Sequence, residues 1–329
     1  MGYAPYTFNK IQAGVEATPG TAVAATFIFR GGFGSAKDES TRKVVEEQVG
    51  QFAPTGQVIM PWQLAKLALP AMPFTFEQSP HIFEASVKTA TPGISPQYKR
   101  TYNAPISAPP TTKFYTIECF NTEATADYRE MPHAYVEEWT LSGKAGEEWT
   151  IAANWAGRRL ESGSPTALSA LVNTEIALFS KTKLYIDAVG GTIHTTQKQG
   201  VLMAADLKYQ SGIMYVPVGD GNLYYSAVKY GQPKFTYSIT LELESSSVVA
   251  AERTILETVP QPNRLISLDC PGSTANKNLR IDFAGRHTAI GDYQNSDGNT
   301  TVTIDGEGTY DSTAALFLSV IVDNGLATL

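Results

Sequence analysis

Phe235-Thr236-Tyr237-Ser238-Ile239-Thr240-Leu241-Glu242-Leu243-Glu244 alternates apolar and polar side chains over ten positions without a fault. Side chains of an extended strand point alternately to opposite faces. Phe235, Tyr237, Ile239, Leu241 and Leu243 therefore share one face, and Thr236, Ser238, Thr240, Glu242 and Glu244 share the other. Such a pattern predicts a sheet with one buried face and one wet, acidic face.

The same design recurs along most of the chain. Extended segments are expected at Thr26 to Arg30, Val44 to Ala53, Lys113 to Phe120, Lys183 to Asp187, Val201 to Tyr209, Arg264 to Asp269, Leu279 to Phe283 and Leu316 to Val322. Two hairpins are expected. One joins Tyr135–Leu141 to Glu147–Trp155, and the other turns at Asn295-Ser296-Asp297-Gly298-Asn299. Two short helices are expected as well. Pro61 to Leu69 has proline in its first turn and Pro70 as a stop, and Ser246 to Val259 carries the stripe Val248, Ala251, Ile255 and Val259 before Pro260. Residues 1–20 read as an extended arm, and residues 71–112, rich in proline, as a long irregular excursion.

The order of elements repeats: extended chain, one short helix, strands, a glycine-containing hairpin and a last strand. The spacing between the copies shrinks from about 190 residues at the helices to about 150 at the hairpins, with the excursion in between. The expected architecture is mainly β: a first domain over 21–180 and a second over 181–329, each a β-sandwich with one flanking helix.

Bulk composition narrows the function. In 329 residues, a 43% hydrophobic share with 17% charged residues describes a chain able to bury real cores rather than a disordered one. A net charge of −7 argues against a surface that neutralises nucleic-acid phosphates. Cys119 and Cys270 lie in alternating apolar segments and read as buried free thiols. The N-terminus lacks a basic stretch followed by an apolar core, so no signal peptide is expected, and no window has the length of a membrane span.

Catalytic patterns are missing from the sequence. Gly31-Gly32-Phe33-Gly34 has neither phosphate-loop nor dinucleotide spacing and reads as a tight turn. Aligning Gly298 with the glycine of a calcium loop puts Tyr293 and Ile304 where carboxylates are needed. His81, His133, His194 and His287 stand alone, without metal-ligand spacing; His133 reads as a loop residue and His287 as a hairpin-edge residue. Trp149 shares strand parity with Ile151, Ala153 and Trp155, which points to core rather than to a sugar platform, and Trp139 and Trp149 are expected as cross-strand neighbours. No catalytic residue, metal or cofactor is expected.

Gly14-Val15-Glu16-Ala17-Thr18-Pro19-Gly20-Thr21-Ala22, Lys183-Leu184-Tyr185-Ile186-Asp187-Ala188 and Gly308-Thr309-Tyr310-Asp311-Ser312-Thr313-Ala314 follow one another in the order found in tail tube (major tail) proteins of long-tailed bacteriophages, which this chain resembles. The resemblance implies a structural protein of the virion tail, assembled in the host cytoplasm, with no enzymatic activity. Copies would form rings, three duplicated chains imitating six-fold symmetry, and the rings would stack into a hollow tube. Its partners would be itself and the tape-measure, tail terminator and baseplate proteins, with DNA passing through unbound and no membrane involved. Thr236, Ser238, Thr240, Glu242 and Glu244 are then expected to line the channel. Gly14, Glu16, Thr18, Pro80, Pro92 and Pro96, in the arm and the excursion, are expected at contacts between rings. The alternative is a β-sandwich module of a virion or cell surface that binds carbohydrate or a receptor through exposed aromatic residues.

Overall fold

The computed structural model describes residues 3–329 apart from 32, 33, 35, 169, 245–247 and 297. The chain is mainly β, and its strand pairs are antiparallel. In chain order the first half holds β1 (Asn9–Val15), β2 (Phe27–Ile28), β3 (Lys37–Asp38), β4 (Thr41–Glu47), β5 (Thr55–Trp62), β6 (Ala65–Pro73), α1 (Pro80–Ser86), β7 (Arg100–Asn103), β8 (Tyr115–Asn121), β9 (Ala124–Lys144) and β10 (Thr150–Gly157). The second half begins with β11 (Lys183–Ala188), β12 (Gln197–Lys198), β13 (Leu202–Gln210), β14 (Ile213–Tyr215), β15 (Val228–Tyr230) and β16 (Lys234–Glu242). It continues with α2 (Val248–Glu257), β17 (Arg264–Pro271), β18 (Asn278–Ile290), β19 (Gln294–Ser296), β20 (Asn299–Gly308) and β21 (Leu318–Asp323).

One pairing scheme occurs twice. β1 pairs with β8, β8 with β9, β9 with β10 and β10 with β6. Likewise β11 pairs with β17, β17 with β18, β18 with β20 and β20 with β16. The registers correspond around the junction of the two layers, while the first half carries further irregularities in its β8–β9 and β6–β10 ladders. Tyr115 faces Ala134 as Arg264 faces Gly285, and Ala156 sits between Tyr135 and Lys66 as Glu307 sits between Arg286 and Thr236. Each long strand carries its extra, bulged residue at the corresponding place, Glu137 in β9 and Thr288 in β18. Bulges bend a strand and raise its twist. Both β9 and β18 use them where they pass from one sheet layer to the other.

The halves meet in one ladder. Glu138–Lys144 of β9 pair in register with Ala204–Gln210 of β13. A continuous sheet therefore runs β3–β6–β10–β9–β13–β16–β20–β18. The other layer consists of β2–β1–β8 in one half and β12–β11–β17 with the start of β18, then β21 and β7, in the other. Aromatic contacts across the gap form the core. Tyr115 meets Trp155 at 5.6 Å and Phe235 meets Phe283 at 4.9 Å between ring centroids, both edge to face.

The two halves solve the same packing problem with exchanged volumes. In the first, Leu67 of β6 opposes Trp155 of β10; at the corresponding positions of the second, Tyr237 of β16 opposes Gly306 of β20. The large ring has moved to the neighbouring strand, and a glycine has made room for it. A methyl group on Gly306 would lie 2.2 Å from Tyr237 Cζ.

Several expectations need correction. Residues 61–69 are not helical: they close β5 and open β6. Ala65, Leu67 and Leu69 are buried and Ala68 and Pro70 exposed, which is period two. Short apolar runs fit either period, and Pro61 and Pro70 are tolerated in strands near a sheet edge. The first helix instead lies inside the expected irregular excursion, at Pro80–Ser86. Every residue of α1 is buried, so it shows no amphipathic stripe from which a helix could be read. Of the excursion, β7 pairs with β21, and the buried guanidinium of Arg100 donates to Asn324 Oδ1 at 2.7 Å. The change in spacing between the halves comes from residues 87–114, between α1 and β8, against only 258–263 between α2 and β17.

α2 is shorter than expected and rotated. Ala251 and Val259 face solvent, whereas Val248, Val249 and Glu252 are buried. Glu252 turns inward because Arg264 grips its carboxylate at 2.7 and 2.9 Å and His287 Nε2 lies at 2.9 Å. Burial opposes ionisation there, but the hydrogen bonds and the guanidinium charge outweigh it and hold Glu252 below the usual carboxylate range. Ser246 and Asp297, at the expected edge of this helix and in the second hairpin turn, lie outside the described residues, as do Gly32 and Phe33 of the Gly-rich turn.

Gly306→Ala is expected to destabilise the chain by about 1–3 kcal/mol through overpacking against Tyr237. In a Tyr237→Leu background, which recreates the small-residue side of the first half, the same change is expected to cost less. Chemical denaturation of the four proteins of this cycle measures the coupling; additive effects would contradict the volume exchange.

Candidate assembly surface

The side of the long sheet opposite the main core is built by strand parity. In β16, Phe235, Tyr237, Ile239 and Leu241 are buried while Thr236, Ser238, Thr240 and Glu242 reach solvent. Glu244 follows the end of β16 and is exposed. The register extends these positions into cross-strand rows. Lys208, Thr236 and Glu307 form one row; Asp206, Ser238 and Asp305 the next; Ala204, Thr240 and Thr303 a third. Thr240 and Thr303 join their hydroxyls at 3.0 Å. Most of these side chains are short and hydrophilic. Asp305 and Glu307 are exposed, and the ion pairs among the described residues do not include them.

Both ends of this sheet are open. β3 covers β6 only at Ala65 and Lys66. At the far end, residues 286–290 of β18 pair with β20 and with no other strand among the described residues. The N–H of Gly291 points to Thr303, so that of Ile290 points outward. Open strand edges present unpaired N–H and C=O groups to any further strand.

Two hairpins leave this sheet at corresponding places: β4–β5 between β3 and β6, and β14–β15 between β13 and β16. The second folds over the wet face of the first half. Its Ile213 and Tyr225 pack with Leu64, Phe114, Tyr135 and Ala156 in a small separate apolar cluster. Tyr225 Oη donates to His133 O at 2.8 Å, and the N–H of Ser211 donates to Glu137 O at 2.9 Å. The first hairpin has no such cover. All of β4 is exposed, and Phe52, Val58 and Val44 stand in solvent.

The residues expected between rings fall into two groups. Gly14, Glu16 and Pro80 are buried inside the chain and present no surface to a neighbour. Gly14 sits in β1, where a Cβ would meet Ala24 O at 2.3 Å. The carboxylate of Glu16 accepts from the N–H of Gly20 at 2.5 Å, Thr116 Oγ1 at 3.0 Å and the N–H of His133 at 2.7 Å. Its role is to anchor the Thr18–Gly20 turn, and only the residues before Asn9 remain as an arm. Pro80 opens α1. Thr18 and Pro96 are exposed and Pro92 is half-buried.

Ionisable groups in the interior serve structure. His81 stacks on Phe27 at 3.8 Å and meets Tyr115 Oη at 3.1 Å. Burial, with Lys113 and Arg100 nearby, pushes its pKa down to about 3. His133 is not a loop residue but a buried part of β9, and burial with Arg158 lowers it to about 3 as well. His287 is likewise buried rather than at a hairpin edge, bridging Glu252 and Tyr237 Oη, the latter at 3.0 Å. This Tyr–His–Glu chain has the members of an acid–base relay but is sealed beneath α2. Cys119 and Cys270 are buried free thiols, each raised to about 11, chiefly by burial. No group of three or more His, Cys, Asp or Glu side chains that could hold a metal exists among the described residues. No helix there is long and apolar enough to cross a membrane.

Trp139, Trp149 and Trp155 are fully buried. Trp139 and Trp149 are not cross-strand neighbours: Trp139 opposes Ala153 on one side and Tyr209 on the other, stacking on Tyr209 at 5.5 Å. Exposed rings gather elsewhere, around a cleft of about 490 Å³ lined by Pro105, Pro109, Tyr230, Pro233, Tyr310 and Phe317. The projecting hairpin and this cleft escaped sequence reasoning. The misplaced helix at 61–69 hid β5, and the cleft joins segments far apart in the chain. No family model and no curated protein matches the sequence.

Two outcomes test the sealed interior. Folded protein is expected to leave both thiols unmodified by Ellman's reagent at pH 8 and to expose both in denaturant. Below pH 6.5 the unfolded chain binds protons at residues 81 and 133 that the folded chain rejects. Their contribution is complete above pH 6.5 and is lost as pH falls toward 3, on the order of 1–2 kcal/mol for each histidine at pH 5. Loss of the Glu252 pairing acts in the same direction at lower pH. A thermal-melt series from pH 7 to 4 that stays flat would contradict this.

Proposed function

We propose that this chain is a tail tube protein of a long-tailed bacteriophage, a structural component whose copies join into rings and stack as a hollow conduit for DNA. The observation that carries the reading is the ladder between β9 and β13. It joins two corresponding halves edge to edge, while the equivalent edges, β18 at one end and β3–β6 at the other, stay open. A strand edge that is satisfied within the chain at one junction supplies a template for the junction with the next copy. In register, Lys208 opposes Thr140 as Lys37 of one copy would oppose Gly291 of another. Three copies would then place six corresponding halves around one axis, a trimer imitating a hexamer.

The wet face suits the inside of such a ring. Thr236, Ser238, Thr240 and Glu242, with Asp206 and Asp305 beside them, would repel phosphates rather than hold them, and the net charge of −7 acts in the same sense. Glu244 would lie at the end of that wall. The hypothesis for Thr18, Pro92 and Pro96 is contact between successive rings. Tape-measure, tail terminator and baseplate proteins are the partners such a tube requires, its place is the virion tail after assembly in the host cytoplasm, and neither an enzymatic activity nor a cofactor enters the reading.

The alternative, a carbohydrate- or receptor-binding module, has the Pro- and Tyr-lined cleft as its support. Electron microscopy of the purified full chain separates the two: rings or hollow tubes are expected, and a persistent monomer with affinity for glycans would overturn the proposal. Thr240→Arg is expected to leave assembly intact but give tubes that retain duplex DNA at low salt. Tubes of both proteins that ignore DNA equally would place Thr240 away from the channel.

A further inference from the structure

We infer that the β4–β5 hairpin docks on the second half of another copy of this chain, around Asn263, Arg286, Thr288 and Glu307. The inference rests on the self-assembly reading and adds to it a second contact, formed by side chains rather than by a strand ladder. Its ground is the internal counterpart. The hairpin β14–β15 leaves the sheet after β13 and covers Phe114, Tyr135 and Ala156 of the first half. By register, those three positions correspond to Asn263, Arg286 and Glu307 in the second half, where Arg286 and Glu307 are exposed and Asn263 is buried, its amide bonded to Arg286 and Asp311. The hairpin β4–β5 leaves the sheet after β3, the counterpart of β13, and reaches no equivalent platform in its own chain.

The chemistry of the two unpaired surfaces is complementary. The site covered within the chain is apolar, and so is its occupant, with Ile213, Tyr215 and Tyr225. The uncovered site is polar and charged: Arg286 Nε donates to Asn263 Oδ1 at 2.8 Å, and the exposed carboxylate of Glu307 enters no ion pair among the described residues. Counting from the paired lysines 37 and 208, the hairpin brings Ser40 to the place of Ser211 and Arg42 and Lys43 to the places of Ile213 and Met214. Arg42, at the place of the inward-facing Ile213, therefore arrives where the second copy offers Glu307, and Lys43, at the place of the exposed Met214, adds its charge from the outer side. The N–H of Ser40, which donates to Asp38 Oδ1 at 2.9 Å in the single chain, would exchange that partner for the carbonyl of Thr288, as the N–H of Ser211 meets Glu137 O. Exposed apolar residues further along the hairpin, Val44 and Val58 first, would lose water in the same contact. Thr236, on the row of Arg286 and Glu307, would come to lie at the covered rim, leaving Ser238, Thr240 and Glu242 open.

The test uses the full chain and reads assembly by sedimentation and electron microscopy. Arg42→Glu with Lys43→Glu is expected to shift the assembly threshold at least tenfold upward in protein concentration while the monomer's melting point stays within about 2 °C, since exposed ion pairs such as Arg42–Asp38 carry little stability. Adding Glu307→Lys is expected to restore most of the assembly. In a second arm, Ser40→Cys with Thr288→Cys is expected to yield oxidised dimers and trimers of the chain on a non-reducing gel; the native thiols, being buried, stay silent. A charge-reversed chain that assembles like the wild type, or cysteines that never link chains in assembled protein, would overturn the docking while leaving the tube reading in place. A wild-type chain that stays monomeric at every concentration would remove both.

Discussion

Everything in the molecule depends on β9. Along its length it pairs with β8 in one layer and then with β10 and β13 in the other. Its bulge at Glu137 makes the turn between these layers, and the Trp139–Tyr209 stack fixes the register at which the second half attaches. A one-residue slip there would exchange the faces of β13, burying Asp206 and Lys208 and exposing Leu207 and Tyr209. The chain therefore tolerates one alignment of its halves. The charged Lys277, pairing with Glu77 and Glu175, ties them a second time from the side.

The interior and the wet face treat charge in opposite ways. Inside, Glu252, Glu118 and Arg100 each have partners fixed by geometry: Arg264 and His287 for the first, Gln12 and Thr166 for the second, Asn324 for the third. An unpaired charge there would cost several kcal/mol. On the wet face, Asp206 and Asp305 lie on either side of Ser238, two strand spacings apart, where water screens them. Their field acts outward into solvent rather than on the fold.

The parts of this fold that were legible in the sequence are those where one face of a strand is dry and the other wet. β16 is the clearest case, and β13 and the β9–β10 hairpin follow it. Period two survives there because only one face is buried. The reading failed wherever burial was complete or reversed. α1, dry on all sides, has no polar face to mark a helix, and α2 carries its key polar residue, Glu252, on the buried side. β6 reads as a helix from sequence because Pro61 and Pro70 bracket a short apolar run, whereas its buried Ala65, Leu67 and Leu69 follow period two. For the candidate surface, parity alone identified the polar face of β16, but neither Glu16 nor Pro80 could be recognised as internal. Glu16 is held inside by His133 and Thr116, residues distant in sequence, and Pro80 opens a helix that is buried along its whole length. The match between β4–β5 and β14–β15 was illegible for the same reason: it exists in register and not in residue identity.

The exchanged volumes at Leu67–Trp155 and Tyr237–Gly306 have a consequence for how copies can meet. Identical halves could trade places, so that one chain would complete its fold with its neighbour's second half and form tangled, branching aggregates. Here the swap fails at the core: a strand bearing Tyr237 laid beside Trp155 would put two large rings where one fits, and Leu67 beside Gly306 would leave a hole. Divergence of the cores thus gives the chain a head and a tail. In the proposed assembly, copies would then be left with contacts at their open edges and projecting hairpins, in a single direction.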